Sequence, residues 1–372
     1  MIYLDSAATT LRKPESVYRA ANIAMRTVSS PGRGQYRAAS KASEILYKCR
    51  ENASKLFNVD NLDNIVFTFN ATHGLNIAIN TLAYRGCNVV VSGYEHNAVM
   101  RPLRYRDANI TIVRSPAFDI SAAIDGFDKS INNKTDLVVC TAMSNVFGFI
   151  LPIYDIAKIC RERNVPLIID ASQGAGVLNL DFNKLGAAFM AMPGHKGLYG
   201  PQGTGILLCS RNINPILTGG TGGNSLLPYM PDFLPDAGEA GTHNVSGIAG
   251  LSAGIEYVIK TTTGRILLHE RSLTLACAEG LKRLGITVFS SEHEDDFGGV
   301  LSFEPNNTDA EVLAFRLAEK GVSVRAGLHC APTAHETMGT LSKGTVRVSF
   351  SAFSRMAEIM EFLNIIGKIN SK

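Results

Sequence analysis

From residue 65 to residue 210 short apolar runs alternate with stretches of helical character, which restricts the chain to an α/β architecture with a mainly parallel sheet. Strands are expected at Ile65–Phe69, Asn88–Ser92, Ile110–Arg114, Leu137–Ala142, Pro166–Asp170, Ala187–Met192 and Thr204–Cys209. Helices are expected between them at Gly74–Tyr84, Ala98–Arg106, Ile120–Phe127 and Ile153–Arg163. Runs such as Val89 to Val91 and Leu137 to Cys140 show no polar alternation, so both of their faces should be buried. Ligands of such sheets bind just beyond the carboxyl ends of the strands. The residues with useful chemistry fall there.

Residues 217–244 are rich in Gly and Pro and are long for a plain connection, so they are expected to serve function or an interface. The pattern then changes. Gly247–Lys260, Arg265–Leu284, Ala310–Lys320 and Ser354–Ile369 read as helices. Ile286–Ser290, Val300–Glu304, Val322–Arg325 and Thr345–Phe350 read as strands, which suggests a smaller α+β domain.

Composition excludes several classes. With 45% hydrophobic and 19% charged residues among 372, the chain is not disordered. A net charge of +3 is too balanced for a nucleic-acid binder or a membrane-surface protein. No apolar stretch reaches the ~18 residues of a spanning helix, and no signal peptide is visible, so the expected location is the cytoplasm. The seven cysteines are odd in number and widely spaced, with no Cys-x-x-Cys pair. They form neither a disulfide framework nor a zinc site, so no metal is expected.

Five segments could carry chemistry. Ala191-Met192-Pro193-Gly194-His195-Lys196-Gly197 places a lysine in a glycine-rich turn after an apolar run. A partly desolvated lysine there can form a Schiff base, although a lone lysine is more simply a surface residue. Asp170 closes a buried strand, where a carboxylate needs a cationic partner or a helix to cap. Asn70-Ala71-Thr72-His73-Gly74 can cup a phosphate at a helix N-terminus or merely cap that helix. His96 can move protons or be structural, and Asn145 can bond a ring oxygen or hold a turn.

Taken together these residues resemble a known family. Leu4-Asp5-Ser6-Ala7-Ala8-Thr9-Thr10, the Asn70–Gly74 loop, Glu95-His96, Ser144-Asn145, Asp170-Ala171-Ser172-Gln173, Gly194-His195-Lys196 with Tyr199-Gly200-Pro201, Glu239-Ala240-Gly241-Thr242 and Arg325-Ala326-Gly327-Leu328-His329-Cys330-Ala331 occur in one order. The chain resembles class V aminotransferase-fold enzymes, and within them the cysteine desulfurases that carry a short Cys loop. The branch with Pro-Gly-His-Lys-Gly-Leu and Gly-Pro-Gln-Gly-Thr-Gly is the most similar. The resemblance runs from residue 2 to about residue 365.

It implies a fold type I transferase dependent on pyridoxal phosphate (PLP). The expected large domain spans 15–250, and the smaller one comprises 1–14 with 251–372. Lys196 would carry PLP as a Schiff base and shuttle protons, Asp170 would face the pyridinium nitrogen, and His96 would stack on the ring. Gln173 and Asn145 would bond the ring oxygen. Ala71, Thr72 and His195 would hold the phosphate, with Thr242 reaching it from the other subunit of a homodimer. Arg347 would clamp the carboxylate of L-cysteine, with Arg325 and Arg33 as further substrate contacts. Cys330 would take the sulfur as a persulfide and pass it to a protein acceptor, while the other six cysteines pack. Alanine would be the second product. Selenocysteine lyase or aminotransferase activity on the same fold is the alternative.

Some positions depart from the family pattern. Pro193 replaces a phosphate-contacting Ser, Met143 a His, His73 an acidic residue and His243 a Pro. A metal-dependent hydrolase built on His96, Asp170 and His195 lacks a recognisable metal signature. A nucleotide-binding module lacks the Lys-Ser/Thr of a phosphate loop.

Overall fold

The computed structural model describes residues 1–32, 34–223, 226–306 and 308–370. Arg33, expected to touch substrate, lies outside them.

The chain opens with β1 (Ile2–Tyr3), α1 (Glu15–Thr27) and α2 (Arg37–Phe57). The alternating region follows as β2 (Ile65–Thr68), α3 (Ala71–Leu82), β3 (Asn88–Ser92), α4 (Asn97–Tyr105), β4 (Asn109–Val113) and α5 (Ile120–Ser130). It continues through β5 (Leu137–Thr141), α6 (Ile153–Glu162), β6 (Leu167–Asp170), α7 (Phe182–Leu185), β7 (Phe189–Pro193) and β8 (Gly205–Cys209). These strands form one seven-stranded sheet in the order β2-β8-β7-β6-β5-β3-β4. Only β8 runs against its neighbours. Every residue of β2, β5, β6, β7 and β8 is buried, as the unbroken apolar runs require. Helices cover both faces, and Val89, Val91 and Ile168 pack on one side while Val90, Val138 and Ile169 pack on the other.

After the loop come α8 (Val245–Thr261), α9 (Thr263–Arg283), β9 (Thr287–Phe289), β10 (Val300–Glu304) and α10 (Ala310–Glu319). The remainder is β11 (Val322–Ser323), β12 (Arg325–Gly327), α11 (Pro332–Thr337), β13 (Thr345–Ser349) and α12 (Met356–Asn370). A second sheet, β12-β13-β10-β9, is antiparallel throughout. The single strand expected at Val322–Arg325 is two strands. β11 pairs with β1, whereas β12 pairs with β13, so the backbone changes partner at Val324. Ile2 and Leu4 enter the same apolar cluster as Leu273, Phe303, Val348 and Phe362. The first residues therefore pack with the last hundred. Helix α8 packs along α1 and α2 and passes unbroken through residue 250. Among the described residues, no helix is long and apolar enough to cross a membrane.

Candidate active site

Lys196 sits in the turn that follows β7. Gly194 leads into this turn, and a Cβ there would collide with Thr204 Oγ1, so only glycine lets the backbone pass. Gly194 N–H donates to Thr204 O at 2.8 Å, and Gly200 N–H donates to Gly194 O at 2.7 Å. From the other end of the sequence, Thr10 donates to His195 O through N–H at 3.1 Å and through Oγ1 at 3.0 Å. Lys196 is half-buried and lines a cavity. Burial brings its amine down to about 8, with the neighbouring Asp170 carboxylate opposing the change.

The cavity lies at the carboxyl ends of β2, β3, β5, β6 and β7. Asp170 ends β6, is 2% exposed, and accepts from Ser172 N–H through Oδ1 at 2.9 Å. Asn70 caps α3 by accepting from His73 N–H at 2.9 Å. The N–H groups of Ala71 and Thr72 have no acceptor among the described residues and line the cavity. His96 caps α4, with Nδ1 accepting from Ala98 N–H at 3.0 Å. The neutral ring therefore carries its proton on Nε2. Burial lowers His96 to about 4, with Asp170 opposing. His195 is likewise lowered to about 4, by burial and then by the charges of Lys196 and Lys13. Its Nδ1 lies 3.1 Å from Thr9 Oγ1.

Gln173 Nε2 donates to Ala7 O at 3.0 Å, and Asn145 Nδ2 donates to His329 O at 2.8 Å. Each amide has one further proton. The structure thus gathers eight expected residues around one cavity: Ala71, Thr72, His96, Asn145, Asp170, Gln173, His195 and Lys196. Thr242 is not among them. It lines a different cleft, with Phe69, His73 and His243.

A groove of about 610 Å³ shares Thr72 and His96 with the cavity and reaches Cys330 and Arg101. Cys330 is exposed, and the other six cysteines are buried. Burial pushes the thiol of Cys160 up to about 12 and those of Cys49, Cys140, Cys209 and Cys277 higher still. Arg325 Nη2 lies 3.7 Å from Cys330 Sγ. His329 and Cys330 both take left-handed backbone conformations, with φ of 49° and 57°. For residues with a Cβ this costs on the order of 1 kcal/mol each. Two tethers offset it: Asn97 N–H donates to Cys330 O at 2.8 Å, and Asn145 holds His329 O.

Arg347 lies on β13, 1% exposed. Its Nη2 donates to Asp5 Oδ1 at 2.7 Å and its Nη1 to Asn145 O at 2.9 Å, while Nε has no partner among the described residues. The expected clamp is therefore a buried guanidinium already engaged on both arms.

A model of the aminotransferase class-V family matches residues 2–362. The chain belongs to that family. Among curated relatives, a probable cysteine desulfurase of Methanothermobacter thermautotrophicus is 33% identical, over 96% of this chain and 92% of the relative. Another from Pyrococcus abyssi is 29% identical, over 99% and 94%. Among solved structures, the apo cysteine desulfurase of Thermococcus onnurineus NA1 superposes with a TM-score of 0.89 at 28% identity, covering 99% of this chain and 94% of that one. The Escherichia coli cysteine desulfurase CsdA, as its S-sulfonic acid, gives 0.87 at 26%, covering 100% and 94%. The architecture of this class-V chain is that of the fold type I PLP-dependent transferases.

Three participants in the class-V site escaped sequence reasoning. Asp5 stands in a quoted motif, but its pairing with Arg347 spans 342 residues. Glu95, fully buried, accepts from Thr141 N–H at 2.7 Å and from Ser92 Oγ, and its Oε2 has no partner among the described residues. Burial raises it to about 8, and the nearby Asp170 adds to the rise. Its signal was its place in the Gly93-Tyr94-Glu95-His96 turn between β3 and α4. Asn97 acts through its backbone, which side-chain motifs do not reveal. Of the departures, His73 stacks on Phe69 with ring centroids 4.6 Å apart, and His243 Nε2 lies 2.6 Å from Glu239 Oε2. Among the described residues no cluster of His, Cys, Asp and Glu could hold a metal ion.

Proposed function

We propose that this class-V protein is a PLP-dependent cysteine desulfurase that converts L-cysteine to L-alanine and receives the sulfur as a persulfide on Cys330. The observation that carries the reading is the position of Cys330. It is the one exposed cysteine, its sulfur faces Arg325, and its groove runs into the cavity of Lys196 and Asp170. An aminotransferase has no use for such a thiol.

The residues fit PLP. The free N–H groups of Ala71 and Thr72, at the positive end of α3, suit its phosphate. His195, on the same cavity, would add to that cup. Asp170 suits a pyridinium nitrogen. The spare amide protons of Gln173 and Asn145 suit the ring oxygen, and His96 suits the ring face. A lowered Lys196 amine suits covalent attachment. When bound, the cofactor supplies an electron sink for bonds broken next to the amino-acid Cα.

Lys196 Nζ would hold the cofactor and then carry a proton to and from the substrate. Arg347 and Arg325 would orient the substrate carboxylate, Arg347 through the protons not given to Asp5 and Asn145. Cys330 Sγ would attack the substrate sulfur. The S–S bond forms as the Cβ–S bond breaks, the electron pair stays with carbon, and Cβ takes a proton to leave alanine. A protein thiol is the proposed sulfur acceptor.

We also propose a homodimer in which Thr242 completes the phosphate cup of the neighbouring subunit. That Thr242 lines a separate cleft and not the cavity of its own chain supports this, as do the exposed Leu226, Leu227 and Tyr229 in the same loop. For the domains we propose a large unit through α8 and a small unit formed by the N-terminal segment with α9 onward. The boundary then falls at Thr262, which caps α9, rather than at residue 250 inside α8.

Borohydride reduction of the PLP-loaded protein, followed by peptide mass spectrometry, tests the centre of the reading. Pyridoxyl on Lys196 in the reduced sample, with alanine and a persulfide on Cys330 when cysteine is added to a separate, unreduced sample, is the expected result. Label elsewhere, or alanine with no sulfur on Cys330, overturns it.

A further inference from the structure

Cys330 is presented on two consecutive left-handed residues that carry side chains, a conformation that neighbours must hold. Both carbonyls of that turn are held by the elements that line the cofactor cavity. Cys330 O accepts from Asn97 N–H, the residue after His96, and His329 O accepts from Asn145 Nδ2. Asn145 is 9% exposed, and its own backbone oxygen accepts from Arg347 Nη1. On the far side, the His329 ring is fixed by Nε2 at 3.2 Å from Thr345 O. Of the two donors, Asn145 is the one that itself lines the cavity, so its side chain touches both the cavity and the thiol-bearing turn.

We infer that Asn145 is a positioning residue that couples the Cys330 turn to the cofactor. One Nδ2 proton anchors His329 O, while the other faces the cavity. Its orientation is set jointly by the turn, by the bound group and by Arg347 through the backbone. The cofactor half of this inference rests on the function proposed above, whereas the anchor half rests on geometry alone. Gln173 makes the contrast: it lines the same cavity, but its Nε2 donates to Ala7 O and not to the turn.

The test uses holoenzyme of wild type, Asn145→Ala, Asn145→Asp and Gln173→Ala. Asn145→Asp preserves size and sets an acceptor against His329 O. Hydrogen exchange by mass spectrometry is followed at the N–H groups of Asn97 and Ala331, which bond to Cys330 O and Leu328 O. Both Asn145 variants should exchange there about tenfold faster, the equivalent of one lost hydrogen bond, with β9 unchanged. The cofactor absorption band should shift in the same variants. Gln173→Ala should shift the band and leave the turn protected. A shifted band with a protected turn in the Asn145 variants overturns the inference, as does equal loosening of the turn in Gln173→Ala. Absence of pyridoxyl from Lys196 would instead sink the functional reading, leaving the exchange result intact.

Discussion

Asp5 Oδ1 and Arg347 Nη2 lie 2.7 Å apart, joining residues that are 342 positions distant in the sequence. Arg347 is 1% exposed, so Asp5 is what makes its burial tolerable. Removing one member of such a pair strands a buried charge. Asp5→Ala should lower stability by about 3 kcal/mol, read from the midpoint of urea unfolding. A loss below about 1 kcal/mol would show that the pair carries little.

Cys330→Ser should keep the cofactor spectrum of the wild type and lose at least about a hundredfold of sulfide release from cysteine, because a hydroxyl cannot attack the substrate sulfur as a thiolate does. Release at the full rate with dithiothreitol present would refute the proposed nucleophile.

Native labelling with iodoacetamide should modify Cys330 far ahead of the other cysteines. Those six are buried in the folded chain, with thiols raised by burial, whereas Cys330 is exposed. Tryptic mapping after short exposure decides the matter, and early label on Cys140 or Cys209 would contradict the packing.

Attachment of PLP to apoprotein should speed up as pH rises and level off above about 8. The neutral Lys196 amine is the reacting form, and burial brings its midpoint down from 10.5 to about 8. A rate that keeps climbing to pH 10 would mean that the lysine titrates as if exposed.

Glu270 gives a stability test. It is 4% exposed, and burial raises its carboxyl from 4.5 to about 8. Between those values the folded chain binds the proton that the unfolded chain releases, so its contribution is present below pH 4.5 and lost as pH rises toward 8. Glu270→Gln should therefore stabilise the protein more at pH 7.5 than at pH 4.5, by several degrees in Tm. Equal shifts at both values would show that Glu270 is not held protonated.

The sequence was most legible where structure is local. The unbroken apolar runs marked the central sheet, and Val300–Glu304 appears with its expected ends. Lys196, Asp170, Thr72, His96 and Asn145 stood out because each follows a strand end, where an α/β sheet opens to ligands, whereas Gln173 and His195 were named through the family resemblance. What stayed hidden depends on contacts between distant segments. Nothing local in Asp5 points to Arg347, and nothing in Val322–Arg325 says that two sheets share it. Helices α1 and α2 precede the alternating region and were not anticipated. Their positions follow from packing against α8.

The first ten residues tie to three remote places: β1 to β11, Asp5 to Arg347, and Thr10 to the carbonyl before Lys196. During synthesis they leave the ribosome long before these partners, and Asp5 waits through 342 positions for Arg347. The seven-stranded sheet can assemble once residue 209 has emerged, but the carboxylate of Asp5 finds its guanidinium only after residue 347 has emerged as well. A nascent chain stalled before residue 325 would carry Lys196 and Asp170 without Arg325, Cys330 or Arg347. Completion of the active site thus waits for β12 and β13, long after the sheet that holds Lys196 can form.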